Sequence, residues 1–260
     1  MKPLAQLREP ERLRGLLFDI DETLTTGGKL TAEAYGAMER LQRAGRIVVP
    51  ITGRPAGWCD HIARMWPVDA VVGENGALYF RHAGGKLVKR FQDDEQTRAS
   101  NRARLENIGR RILAEIPGCA LASDQRYRET DLAIDFCEDV SPLPLETAAR
   151  IAGLMQKEGL TAKISSIHVN GWFGTYDKLA MAKRLFAEEF ACDAARLRGE
   201  FAFAGDSPND APMFSFFDCS VGVANVARFA GKLAAEPKYV TRGAAGVGFA
   251  ELVAYLLGSD

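Results

Sequence analysis

The sequence predicts an α/β fold in which a parallel sheet is interrupted by an inserted α+β module. Three observations carry this. Short apolar runs alternate with amphipathic helical segments near the start of the chain, the same alternation returns near its end, and the stretch between them reads in a different style. A strand–helix–strand order with helical crossovers is the pattern of parallel sheets covered on both faces.

The first run, GLLFDI at Gly15 to Ile20, suits a strand buried on both faces. A polar, glycine-bearing loop, DETLTTGGK, leads into LTAEAYGAMERLQRAG. There Leu30, Ala34, Ala37, Met38 and Leu41 share a stripe at helical spacing, with Gly45 placed as a C-terminal cap. RIVVPIT predicts the next strand in spite of Pro50, which cannot donate to a ladder. GRPAGWCDHIARMW predicts a helix, and VDAVVGENGALYF a strand with a turn. In the middle, KLVKRF and ETDLAIDFCE read as strands, TRASNRARLENIGRRILAEI and LETAARIAGLMQKEG as helices, and LTAKISSIHVNGWF as one further strand. The opening style resumes with a helix in DKLAMAKRLFAEEF, a strand in FAFAGD and a helix start in SPNDAPMFSFF. CSVGVA and KYVT follow as strands, and AGVGFAELVAYLL closes the chain as a helix. The expected boundaries are 1–81 with 172–260 for the core and 82–171 for the inserted module; insertion at a loop is physically tolerated.

A chain of 260 residues is long enough to bury a sizeable core. Its 33 Lys and Arg against 34 Asp and Glu favour neither nucleic acid nor an anionic membrane as partner. No uninterrupted apolar stretch reaches the length that spans a bilayer. The opening MKPLAQLREPERLRGLLFDI is broken by charge where a signal peptide needs an apolar run. The five scattered cysteines lack metal-ligand spacing and read as reduced thiols. The expectation is a cytoplasmic protein, a monomer or weak homo-oligomer.

Chemistry-bearing residues collect at the ends of the expected strands. Asp19 and Asp21 close the first run, and Asp206 and Asp210 follow FAFAG. Open α/β sheets bind ligands beyond the carboxyl ends of their strands. If the two strands are central neighbours, these carboxylates converge on one crevice, where they repel one another unless a cation is present. An all-oxygen set suits Mg²⁺, which keeps waters and partners phosphate. Taken singly, each Asp is as well suited to starting a loop or capping a helix, so the argument lies in the pairs. Thr52 and Gly53 put a hydroxyl and a backbone N–H at another strand end, before a helix whose first N–H groups are free; Thr-Gly is also an ordinary loop. Lys178 follows Asp177 at a helix start and opposes the helix dipole, which suits either a wet surface or a phosphate.

Taken in order, these elements resemble the haloacid-dehalogenase-like hydrolase superfamily. FDIDETLTT is similar to its first motif, ITGRP to the second, Lys178 to the motif lysine and GDSPND to the acidic motif. GENGALYF, SVGVANV and YVTRGAAGVGFAELV further resemble the branch with a large α/β cap inserted after the third core strand. That branch includes the Cof-like phosphatases, sucrose-phosphate phosphatase and mannosyl-3-phosphoglycerate phosphatase. The resemblance runs from Leu16 to Leu257 and departs modestly at Pro50 and Pro208. It implies a Rossmann-like parallel-sheet core with an inserted α+β cap, and a magnesium-dependent phosphatase.

On that resemblance Asp19 is the nucleophile and forms an aspartyl-phosphate, and Asp21 is first general acid, then general base. Mg²⁺ is held by Asp19, the backbone carbonyl of Asp21, and Asp206, with Asp210 supporting it directly or through water. Thr52, Gly53, Arg54 and Lys178 bind the phosphoryl group. Asn209 orients Asp206 or a metal-bound water, or else is a turn residue. The substrate is a small phosphorylated metabolite, with a sugar phosphate favoured. In the cap, Arg126 and Arg128 of SDQRYRET and Ser166, His168 and Asn170 of SSIHVNGW are candidates for choosing the leaving group. Each has a plainer alternative, as a solvent-facing arginine or an ordinary strand residue. Trp58, Trp66 and Trp172 default to packing. The rival readings are a phosphomannomutase-like sugar phosphomutase and a non-catalytic binding protein on the same fold.

Overall fold

The computed structural model describes residues 1–165 and 167–258; Ser166, one of the candidate cap residues, lies outside them. The chain opens with β1 (Lys2–Pro3), β2 (Gly15–Phe18), α1 (Ala32–Arg43), β3 (Ile47–Pro50), α2 (Ala56–Met65) and β4 (Val71–Gly73). The hairpin of β5 (Leu78–Ala83) and β6 (Lys86–Phe91) leads to the long helix α3 (Glu95–Glu115). Next come β7 (Ala120–Leu121), β8 (Asp131–Asp135), α4 (Leu145–Lys157), β9 (Thr161–Ile164) and β10 (His168–Trp172). The last part holds α5 (Lys178–Phe190), α6 (Ala194–Glu200), β11 (Phe201–Gly205), α7 (Ala211–Phe216), β12 (Cys219–Gly222), β13 (Tyr239–Val240) and α8 (Ala245–Leu257).

Six strands form a wholly parallel sheet in the order β1-β13-β12-β11-β2-β3. Successive side chains of a strand leave opposite faces, and both faces here are covered. Leu16 and Phe18 of β2 pack with Met38 and Leu41 of α1 and with Phe249 and Leu252 of α8. Leu17 packs on the other side with Met181 and Leu185 of α5 and Phe214 of α7. This two-sided burial is why GLLF has no polar alternation. Full burial of each Leu or Phe contributes about 1.5–3 kcal/mol, which locks the register of β2 between its neighbours. Pro50 is tolerated because β3 closes the hydrogen-bonded order, its outer edge meeting β4 only through an Ile51–Val72 bridge.

A separate four-stranded antiparallel sheet, β7-β8-β10-β9, is covered on one face by α3 and α4. Leu132 and Ile134 of β8 and Val169 of β10 pack against Leu105, Ile108, Ile151 and Met155 of those helices. The alternate positions, Asp131, Asp135, His168 and Asn170, therefore share the opposite face; Asn170 stands opposite Ala133 and His168 opposite Asp135. This polar face turns towards the carboxyl ends of the parallel strands.

Several details differ from the sequence-based expectation. LTAKISSIHVNGWF is two paired strands, β9 and β10, with Val169 opposite Ile164. The Ser165 hydroxyl accepts from the N–H groups of Ile167 and His168, which gives the chain a side-chain-made reversal that apolar spacing does not reveal. KLVKRF pairs with β5, and β5 with β4, so the hairpin crosses residue 82 while staying joined to the core side. The short helix α6, capped by Asp193, and the strand β1 were not expected. No helix among the described residues is long and apolar enough to cross a membrane.

Candidate active site

β2 and β11 are central neighbours, with Leu17 opposite Phe203. The condition for convergence of the two acidic pairs is thus met. The Asp19 N–H extends the ladder by donating to the Ala204 carbonyl at 2.9 Å, which fixes the first carboxylate at the strand tip. Asp206 follows β11, and Asp210 comes back to it through a tight turn. The Asp210 carboxylate accepts from the N–H groups of Asp206 (3.1 Å) and Ser207 (3.3 Å). Gly205 makes room for it, since a Cβ there would lie 2.6 Å from Asp210 Oδ2.

Lys178 completes the group. Its ammonium donates to Asp19 Oδ1 at 2.7 Å and to Asp210 Oδ1 at 2.9 Å, and it is buried. Asp177 caps the same helix by accepting from the Ala180 N–H. Gly76, at φ +103°, lets the turn after β4 pack directly on this helix start, because a Cβ there would lie 2.1 Å from the Asp177 carbonyl oxygen.

Carboxylate oxygens of Asp19, Asp206 and Asp210 lie within 4.8 Å of one another. Lys178 is too little positive charge for them. Burial, reinforced by Asp19 and Asp210, pushes the Asp206 carboxyl up to about 8. Burial likewise raises Asp19 to about 7 against the pull of Lys178. A divalent cation would restore the charged forms, and an all-oxygen donor set fits a hard ion. Asp206 is already oriented for such a role: the Thr23 hydroxyl donates to Oδ1 at 3.3 Å and Asn225 Nδ2 to Oδ2 at 3.0 Å. Asn225 also ties in the Glu22 carbonyl and the Ala245 N–H. The Asp21 carboxylate is not in this cluster; the resemblance assigns the ion its backbone carbonyl instead.

Asp21 is paired with Arg54, which donates from Nη2 to Oδ1 at 2.8 Å and from Nε to both oxygens at 3.1 and 3.2 Å. Thr52 is fully buried, and its hydroxyl accepts from the Arg54 N–H at 3.0 Å. A small cavity of about 30 Å³ lies between the strand ends and the polar face of the antiparallel sheet. Asp19, Asp21, Gly53, Arg54 and Asn209 line it from one side, and Arg128, His168 and Asn170 from the other.

The cap-side candidates divide. Arg128 is buried: it donates to Asp124 at 3.0 and 3.1 Å, to Asp131 at 3.0 and 3.1 Å and to the Gly53 carbonyl at 2.9 Å. Asn170 donates to Asp131 at 3.0 Å. The Nε2 of His168 is 2.8 Å from Glu138, an acid whose Oε1 also accepts from Arg54 at 3.1 Å. The His168 contact and Arg54 hold the Glu138 carboxyl down to about 2, against the effect of burial. Arg126 is exposed and lines a different hollow of the cap, beside Arg102 and Leu105.

Glu138, Asn225, Asp131 and Glu74 were not singled out from the sequence. Glu74 is fully buried, and burial first of all pushes its carboxyl up to about 7. It accepts from the N–H groups of Ala56, Glu129 and Thr130, and so staples α2 to the loop before β8. The GENG and SVGVANV segments carried the available signal for Glu74 and Asn225; Glu138 sits in an irregular loop that carries none.

Residues 16–113 match the family model described as haloacid dehalogenase-like hydrolase. No curated protein matches the sequence. Among solved structures, one from Thermoplasma acidophilum shares 18% identity over 94% of this chain and 98% of that one, with a TM-score of 0.70. The C-terminal domain of trehalose-6-phosphate phosphatase from C. albicans shares 14% identity over 95% and 93% of the two chains, with a TM-score of 0.67. Sucrose-phosphatase from Synechocystis sp. PCC6803, solved with sucrose and phosphate, shares 14% identity over 94% and 98%, with a TM-score of 0.63. At these identities the structural likeness is one of fold. Over residues 16–113 the chain is thus similar to the haloacid dehalogenase-like hydrolases, and across most of its length it shares the fold of these solved structures.

Proposed function

We propose that the protein is a magnesium-dependent phosphomonoester hydrolase acting through an aspartyl-phosphate on Asp19. The observation that carries this reading is the bridge from Lys178 to Asp19 and Asp210 inside a buried cluster still short of positive charge. A structural ion pair needs no surplus of carboxylates at the tips of two central strands. A site for an anion and its counter-cation does.

The carboxylate of Asp19 attacks phosphorus, and the bond to the leaving oxygen breaks. Asp21, held by Arg54, gives that oxygen a proton and afterwards takes one from the water that cleaves the acyl-phosphate. Lys178 lies against the nucleophile and stabilises charge on the phosphoryl oxygens, with Thr52 and the Gly53 N–H as further donors. Asp19, Asp206 and the backbone of Asp21 would hold Mg²⁺, with Asp210 behind them. Bound there, the ion offsets the repulsion between carboxylate and phosphate. The module over 82–171 covers the crevice, and His168 and Asn170 meet the leaving group. The leaning towards a small sugar phosphate draws on the polar lining and on the sucrose- and trehalose-6-phosphate phosphatases that share the fold.

The test is inorganic phosphate release across a panel of phosphomonoesters, for wild type and Asp19→Asn, each with Mg²⁺ and with EDTA. Release that needs both Mg²⁺ and Asp19 is expected. Release indifferent to either rejects the reading.

A further inference from the structure

The acid–base end of the site is not held by core residues alone. Asp21 follows β2 on a loop and is partly exposed; by itself such a carboxylate has several rotamers. Arg54 takes both of its oxygens, and Arg54 is in turn held at the seam between core and cap. Its guanidinium lies 4.6 Å from the centre of the Trp58 ring on the core side. On the cap side it meets Glu138 Oε1 at 3.1 Å and Asp124 Oδ2 at 3.7 Å. Behind Glu138, Oε2 lies 2.8 Å from His168 Nε2. Its loop is clamped by Asp135 at the end of β8, whose carboxylate accepts from the N–H groups of Cys137 (2.9 Å), Glu138 (2.8 Å) and Asp139 (2.8 Å). A continuous set of contacts thus runs from the cap sheet through Asp135, Glu138 and Arg54 to Asp21.

We propose that Glu138 is a positioning residue by which the closed cap, acting through Arg54, sets Asp21 for proton transfer to the leaving oxygen. The proposal rests on the phosphatase reading above. Without Glu138 the guanidinium keeps Asp21 but loses its hydrogen-bonded anchor in the cap and retains only the longer contact to Asp124 at 3.7 Å, so it follows the carboxylate instead of holding it. Placement of the acid then depends no longer on closure of the cap, and a proton donor displaced by a fraction of an ångström is a poor one.

The nature of the leaving group separates this role from a structural one. An alkyl phosphate needs its departing oxygen protonated; 4-nitrophenyl phosphate releases a stable anion and does not. For Glu138→Ala we expect kcat/KM on an alkyl phosphate, which reports the steps up to departure of the leaving oxygen, to fall about 10- to 100-fold, within the range of general-acid catalysis. On the nitrophenyl ester kcat/KM stays within about 3-fold, a change too small for loss of general-acid catalysis; the later water step, in which Asp21 is the base, is common to both esters and does not enter kcat/KM. Asp21→Asn shows the same selectivity, and adding Glu138→Ala to it costs little more. Glu138→Gln, which keeps an acceptor for Arg54, recovers part of the loss and carries the comparison if the alanine variant fails to fold by circular dichroism. Equal losses of kcat/KM on both esters, or full additivity with Asp21→Asn, overturns the proposal. A wild type that hydrolyses neither ester withdraws the phosphatase reading itself, an outcome distinct from all of these.

Discussion

Asp19, Asp206 and Asp210 share one lysine, whereas Asp124 and Asp131 divide one arginine between them through four hydrogen bonds. The second pair has more help still, from Arg54 at 3.7 Å on Asp124 and from the Asn170 amide on Asp131. Both clusters are buried and both lie at the same cavity, yet they are built to different ends. In the cap each carboxylate has guanidinium hydrogen bonds of its own, the sense in which the pair is matched, and such bonds let buried charges persist as part of a fold. At the strand tips the cluster is left unbalanced, and Asp206 is driven up to about 8 by burial and its acidic neighbours. A matched cluster ties the cap's polar face to the Gly53 loop; the unmatched one is a candidate site for ligands that bring charge.

That contrast breaks most sharply at Asp19, the proposed nucleophile. Asp19→Asn is expected to lower kcat on the order of 10⁴-fold or more, as removal of a covalent catalyst does. The measurement is phosphate release, with deamidation excluded by mass spectrometry. Turnover near wild type removes Asp19 from its role while leaving the fold argument intact.

Arg128→Ala attacks the matched cluster. Leaving Asp124 and Asp131 without their guanidinium is expected to cost about 3–5 kcal/mol, read from urea unfolding. A loss below about 1 kcal/mol, the value of an exposed pair, means that the cluster does not hold the cap. Lys178→Ala attacks the unmatched one, and its effect belongs in catalysis: kcat/KM down about 10²- to 10³-fold, comparable to loss of a preorganised oxyanion donor.

The contrast is sharpened by Mg²⁺ itself. At a concentration 100 times its dissociation constant the ion is expected to stabilise wild type by about 2.7 kcal/mol, seen as a rise in melting temperature. Asp206→Asn loses that rise. Asn225→Ala, which removes the brace on Asp206 together with the ties to the Glu22 carbonyl and the Ala245 N–H, weakens the affinity about 10- to 100-fold. The smallest effect expected is at Arg126, where alanine changes stability by no more than about 0.5 kcal/mol and leaves phosphate release unaltered. A measurable loss there brings the cap's second hollow into the function.

Arg126 and Arg128 show where reading the chain ends. They are two residues apart in one polar segment and have the same chemistry. A turn at Gln125–Tyr127 leaves one in solvent and puts the other between Asp124, Asp131 and the Gly53 carbonyl. Nothing local distinguishes them, because the deciding partners come from other elements. Similarly, LTAKISSIHVNGWF carries enough β-branched and apolar residues for one strand, and a reversal held by the Ser165 side chain and by the Ser165 N–H on the His168 carbonyl turns it into two. The strand-end motifs were legible because each needs only an apolar run followed by polar residues in a fixed order.

The sequence by itself therefore determined the parallel core, the inserted module and the acidic residues at the strand tips, since burial pattern and motif order are properties of neighbouring positions. Only the tertiary structure decided which charges are matched and which are left wanting. Lys178 meets Asp19 across 159 positions, and Arg54 meets Glu138 across 84. The energy of a charge depends on the few ångströms around it, and at such separations the fold alone sets what lies within them.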